Sequence, residues 1–160
     1  MLFSILHILH VLAVIAWIGG LAFITIVALP MVIKMPDALQ KVLLFSRIEH
    51  RFAPLARVYN AVTGITGFAM LYMAGWQSIV FTKEGLGLLI MMVIWFFWAV
   101  MLFGLEPLVI RKMLDKMMAG DKKIDIETIF SRMNALHYVL LFVSLVASAA
   151  GIVFAHRYSF

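Results

Sequence analysis

The sequence predicts an all-α integral membrane protein, a four-transmembrane-helix antiparallel bundle with a short interfacial helix between helices 1 and 2. Three observations carry this. Of 160 residues, 65% are hydrophobic and only 13% charged, and the mean hydropathy is +1.08, a balance that a water-soluble domain of this size could not keep dispersed. Four segments, at about 3–33, 54–80, 85–110 and 134–155, match the roughly 20 apolar residues needed to cross hydrocarbon. None alternates as a strand would, so the spans are helices. The chain, 1–160, then forms a single transmembrane domain.

Each element has its own signal. The first segment lacks a basic leader and runs into "LPMVIKMP" without a small-x-small cleavage site, so it reads as a helix of the mature chain and not a signal peptide. After it, "MPDALQKVLLFSRIEHRFAP" places Leu39, Val42, Leu43, Phe45 and Ile48 at helical spacing, which predicts an interfacial amphipathic helix ended by Pro54. The third helix extends as far as Gly120, turns at "GDKK", and the fourth follows. No repeat or low-complexity tract interrupts the chain.

Charge placement sets the topology. The 13 Lys and Arg divide as five between helices 1 and 2 (Lys34, Lys41, Arg47, Arg51, Arg57), one between helices 2 and 3 (Lys83), six between helices 3 and 4 (Arg111, Lys112, Lys116, Lys122, Lys123, Arg132) and Arg157 at the end. By the positive-inside rule the two basic connections are cytoplasmic and both termini face the periplasmic or outer side of a cell (inner) membrane. The net charge of +5 is therefore topogenic, and with no base-reading motif present it implies no nucleic-acid partner. Zero cysteines exclude a disulfide framework, thiolate metal ligation and covalent c-type haem attachment.

The five histidines carry the chemistry. His7 and His10 lie one turn apart on one face of helix 1, near its outer end, and Trp17 continues that stripe. His137 stands near the inner start of helix 4 and His156 at its outer end, about 28 Å apart along the axis, while His50 sits at the inner interface. The expected metal ligands are His10, His137 and His156. An imidazole at membrane depth costs free energy unless it faces the bundle and is paired, although His156 and His7 also suit plain interfacial anchoring and His50 a solvated polar face.

A flat apolar macrocycle needing imidazole on iron, small surfaces and aromatic edges matches this inventory, so haem b is the expected cofactor. Gly19, Gly20, Gly64, Gly67, Ala69 and Ala74 supply small surfaces, and Trp17, Phe68, Trp95 and Trp98 supply bulk. The expected cofactor-contacting residues are His10, His7, Trp17, Gly20, His137 and Arg57. Such features also occur in membrane bundles that hold no cofactor. One outer haem on His10, with His7 or His156 as second ligand, is preferred; a second, inner haem on His137 is the variant. Twelve methionines raise copper as an alternative, but they occur as pairs and scattered core positions and read better as packing. Glu106, beside Pro107, lies deeper in helix 3 than Arg111 and should pair with Arg57 or Arg51, with Asn60, Asn134 and His137 within the same inner polar group.

"HVLAVIAWIGGLAF", His10 to Phe23, resembles the first helix of the four-helix membrane haem proteins of the HemJ-type protoporphyrinogen oxidase and copper-resistance protein D (CopD)-like superfamily. "SRIEHRFAPLARVYNAVTGITGFAM" and "FSRMNALHYVLLFVSLVASAAGIV" are similar, more weakly, to the second and fourth helices there. The resemblance implies haem b on His10. The expected function is then a b-type haem protein exchanging electrons with a membrane quinone or a porphyrin-like partner. The alternatives are a HemJ-type protoporphyrinogen oxidase, which would be a haem-dependent oxidoreductase, and CopD-like copper transport. The bilayer is the obligatory partner, and the sequence leaves room for a homo-oligomer.

Overall fold

The computed structural model describes residues 1–105 and 125–158, and they are helical almost throughout. Helix α1 spans Leu2–Ile33, α2 Ala38–Met73, α3 Leu86–Val100 with a π-helical extension Met101–Leu105, and α4 Ile126–Tyr158. A short 3₁₀ turn, Trp76–Ser78, follows the left-handed Gly75 between α2 and α3. Helix α1 packs along α2 and α3 along α4, and lesser α1–α4 and α2–α3 contacts join the two pairs. Among the described residues, three helices, Leu2–Ile33, Leu86–Gly104 and Ile126–Arg157, are long and apolar enough to cross a membrane. Helix α2 is as long, but Arg57, Asn60, Thr63 and Thr66 interrupt its apolar surface.

The boundaries correct the sequence reading at α2. The expected interfacial helix ended by Pro54 and the expected span 54–80 are one continuous helix, with Pro54 inside it, ending at Met73. Asp37 is the reason it starts where it does, since its carboxylate accepts the Gln40 N–H at 2.7 Å and caps the first turn. Pro54 deletes one backbone bond, a loss that helix neighbours tolerate in membrane proteins. Helix α4 likewise begins at Ile126, ahead of the expected 134, because Asp125 accepts from the Thr128 N–H and hydroxyl. Those bonds, the hydroxyl's first, hold the Asp125 carboxyl below its ordinary value. The cap is thus fully formed above the ordinary carboxylate range and is lost as pH falls through the lowered value.

Proline also explains the π turn in α1. A regular helix would press the Pro30 ring on the Ile26 carbonyl; instead Ile24–Ala28 widen to π geometry, with the Leu29 N–H reaching Ile24 O. The buried Thr25 hydroxyl donates back to Leu21 O at 2.7 Å.

Three layers of side chains hold the helices together. At the end carrying Met1, Trp76 stacks edge-on with Phe154 at 4.9 Å and with Phe3 at 6.1 Å, tying three elements. In the middle, Trp17, Leu21, Ala56, Trp98, Leu102, Leu140 and Leu141 join all four helices, with Trp17 and Trp98 edge-to-face at 5.4 Å. Such an aromatic pair adds about 0.5–1.5 kcal/mol beyond its buried area. At the opposite end Leu29, Val32, Val42, Phe45 and Phe130 form the third layer. Lys41, counted among the topogenic cations, is 1% exposed, bonded to Glu127 and 5.9 Å from the Phe130 ring centroid. The outer faces are apolar, as in Ile15, Phe23, Val93, Phe96, Phe142 and Ile152.

The glycine pair that follows Trp17 is asymmetric. A Cβ on Gly20 would lie 2.3 Å from the Phe52 ring, whereas one on Gly19 would meet nothing within 4 Å. Gly20→Ala should therefore destabilise the detergent-solubilised protein by about 1–3 kcal/mol, and Gly19→Ala should be neutral or stabilising by up to about 1 kcal/mol. Chemical denaturation of the two variants side by side checks this; equal effects would mean that α1 and α2 do not pack closely at Gly20.

Candidate functional site

The polar interior is a stripe on α2. Arg57, Asn60, Thr63 and Thr66 recur every third residue and so share one flank of that helix. Two glycines interleave with them, Gly64 four residues after Asn60 and Gly67 four residues after Thr63. In a helix the side chain at i+4 stands over the carbonyl of residue i, so each glycine uncovers one carbonyl to a ring from a neighbouring helix. Both openings are used. Trp95 Nε1 donates to Asn60 O at 2.9 Å with its ring over Gly64, and His10 Nδ1 lies 3.0 Å from Thr63 O with its ring over Gly67.

His10, expected as a ligand, meets this stripe from α1. Its Nδ1 is also 3.1 Å from the Thr66 hydroxyl oxygen. That hydroxyl donates to Val62 O at 2.6 Å, and the Thr63 carbonyl can only accept. Both partners therefore accept from the ring, so Nδ1 carries the proton. Nε2 is left with the lone pair. A carbonyl behind the second ring nitrogen is the usual support of a metal-ligating or proton-accepting imidazole.

Other polar atoms on this stripe have no protein partner. Asn60 is 1% exposed, and both Oδ1 and Nδ2 lack a hydrogen bond, as does the buried Thr63 hydroxyl. A buried amide left unmatched costs about 1–3 kcal/mol, so such groups mark a place for a bound polar group or water. Further along the stripe, Arg57 Nε donates to Leu102 O at 2.8 Å. Leu102 belongs to the π-helical extension Met101–Leu105.

The remaining expected site residues lie elsewhere. His7 is exposed one turn before His10, and Trp17 is buried in the central layer rather than lining an opening. The space beside Gly20 belongs to Phe52. His137 lies on α4 just beyond that layer, with Nδ1 on its own helix's Met133 O at 2.8 Å, roughly 15 Å along the bundle from His10. His156 is exposed near the end of α4. The expected metal ligands His10, His137 and His156 are thus not brought together, and among the described residues no three His or acidic side chains converge. Glu106, with its expected arginine pairing, lies outside the described residues. Sequence reading missed Thr63, Thr66 and Ser144, the last accepting from Trp98 Nε1 at 2.9 Å. The signal for the first two was present in "NAVTGITG", where the glycines repeat at the spacing of the polar residues.

In comparisons with family models, curated proteins and solved structures, nothing matches the chain.

The hydrogen bonds define an expected tautomer. Nitrogen-15 spectra of His10 should show a protonated Nδ1 and an unprotonated Nε2 at neutral pH. Thr66→Val should preserve that signature because the Thr63 carbonyl remains. Gly67→Val should abolish it, since even a Cβ there would stand 3.1 Å from His10 Cε1. An Nε2–H tautomer in the wild type would overturn the assignment.

Proposed function

We propose that the chain is a four-helix integral membrane protein of b-type haem character, in which His10 Nε2 is the iron ligand and the function is electron exchange with a membrane quinone or porphyrin-like partner. The observation that carries this reading is the Nδ1–H bond of His10 to the Thr63 carbonyl, which holds the ring in one tautomer and presents Nε2. The likeness of His10 to Phe23 to the first helix of HemJ-type and CopD-like proteins supplies the identity of the cofactor.

The residues fit the group in one region and not in others. The donor at His10 suits iron, and the unpartnered Asn60 amide and Thr63 hydroxyl suit propionate oxygens or waters. The packed layer around Trp17 and Trp98 leaves no place for a macrocycle in the middle of the bundle, and Gly64 is covered by Trp95. The reading therefore takes one haem, on the His7 side of that layer, and assigns His137 no iron. Bound haem supplies a one-electron ferric/ferrous couple.

The chain's own residues set the conditions. The Thr63 carbonyl and Thr66 oxygen orient the imidazole and raise the donor strength of Nε2. Gly67 lets the ring lie against α2, and Phe68 with Trp95, edge-to-face at 5.3 Å, closes the neighbouring surface to water. The same reading places both termini on the outer side of the membrane, following the charge bias of the connections. For the copper alternative the described methionines offer packing: Met91 lies over Gly151, and Met101 backs the central layer.

Protein purified from haem-replete cells should show a Soret band, and a pyridine haemochrome assay should give one haem per chain. His10→Ala should lose at least nine-tenths of that haem while inserting normally, whereas His137→Ala should keep it. Colourless wild-type protein, or full occupancy in His10→Ala, would overturn the proposal.

A further inference from the structure

The first half of α2 carries a second feature that the His10 site does not use. Ser46, Arg47, His50 and Arg51 line a shallow cleft of about 310 Å³ at the end of the bundle opposite Met1. Arg47 and Arg51 are one turn apart, and like charges at that spacing repel. Along their own helix, between Ala38 and Ala53, two arginines and a lysine besides face one acid, Glu49, whose Oε2 is buried. Asp37 caps the helix, and Glu127 is held by Lys41. Two planar guanidiniums, an imidazole and a hydroxyl around one concavity match a phosphate in both charge and hydrogen-bonding geometry.

What lies beyond the cations narrows the ligand. Leu55, Val58 and Ile65 continue from Arg51 at intervals of four, three and seven residues, a helical stripe on the same face. All three are more than half exposed. From Arg51 to Ile65 the stripe runs roughly 21 Å along the axis, comparable with one extended acyl chain. A cationic cleft heading an apolar stripe has the two-part chemistry of an amphiphile.

We infer that Ser46, Arg47, His50 and Arg51 form a binding site for the phosphate of an anionic phospholipid, whose acyl chain lies along Leu55, Val58 and Ile65. The inference rests on membrane insertion of the helices and is independent of haem. The site would anchor α2 at the basic interface, where its polar stripe leaves it the helix least held by apolar surface.

The test uses the full chain in detergent, titrated with phosphatidylglycerol, phosphatidylcholine or inorganic phosphate, with bound lipid read by native mass spectrometry. Phosphatidylglycerol should be retained in preference to phosphatidylcholine. Arg47→Gln/Arg51→Gln should weaken phosphatidylglycerol about twenty-five-fold, at about fivefold per arginine, and leave phosphatidylcholine unchanged. Arg47→Lys/Arg51→Lys should keep most of the binding, which guards against a variant that merely folds poorly. Equal retention of the two lipids by the wild type, or undiminished phosphatidylglycerol in the glutamine variant, overturns the inference. Displacement of phosphatidylglycerol by equimolar inorganic phosphate overturns the lipid assignment in favour of a free-anion site.

Discussion

Hydrocarbon offers no hydrogen bonds, and in this protein that constraint falls hardest on α2. Its flank carries an arginine, an asparagine and two threonines through the depth at which the other long helices are almost wholly apolar. Lipid cannot cover such a flank, since each unmatched polar group costs free energy there. The rest of the bundle is arranged to cover it. Helix α1 brings His10 and α3 brings Trp95, while Arg57 is turned to a carbonyl of α3. Association of helices in lipid gains little from apolar burial, so these few bonds and the aromatic packing beside them specify which faces meet.

The device that makes this possible is small. An α-helical carbonyl already bonded to the N–H four residues on has a second lone pair, but the side chain at that position ordinarily blocks it. Glycine at 64 and 67 removes the obstruction at Asn60 and Thr63. The same substitution of space for side chain costs helix propensity, about 1 kcal/mol per glycine, offset by a ring N–H donated to an otherwise idle acceptor and by close helix contact. For Trp95 the result is a satisfied indole. For His10 it is more consequential, because fixing the proton on one nitrogen decides what the other can do.

Hydropathy made the helical character legible, together with three helices long and apolar enough to cross a membrane among the described residues, because lengths of apolar sequence can be read directly. The reading of α2 was poorer, for physical reasons. Pro54 is a stop signal in water, yet here the helix passes through it, and the capping of Asp37 that starts the helix has the same residue signature as an ordinary turn. The burial of Lys41 was not legible because sequence gives no view of Glu127 eighty-six positions away. His10 was singled out for its depth, but its partners lie on another helix, and the choice among neighbouring small residues needed the fold: Gly64 and Gly67 admit rings to carbonyls, Gly20 meets Phe52, and Gly19 meets nothing within 4 Å.

The central layer gives this arrangement its direction. Trp17, Trp98, Leu140 and Leu141 lie between the levels of His10 and His137; there Trp98 donates to the Ser144 hydroxyl, which donates to Leu140 O, and Arg57 donates to Leu102 O. Both donors of the Trp98–Ser144 pair are thereby used within the protein. Each imidazole therefore belongs to its own side, His10 with the polar groups of α2 and His137 with the backbone of α4. His10 lies toward the end that carries Met1, while the cations of α2 stand at the other. A hydrogen-bonded interior histidine and a basic end thus stand on opposite sides of an aromatic layer, and it is the continuous helix α2 that connects the two.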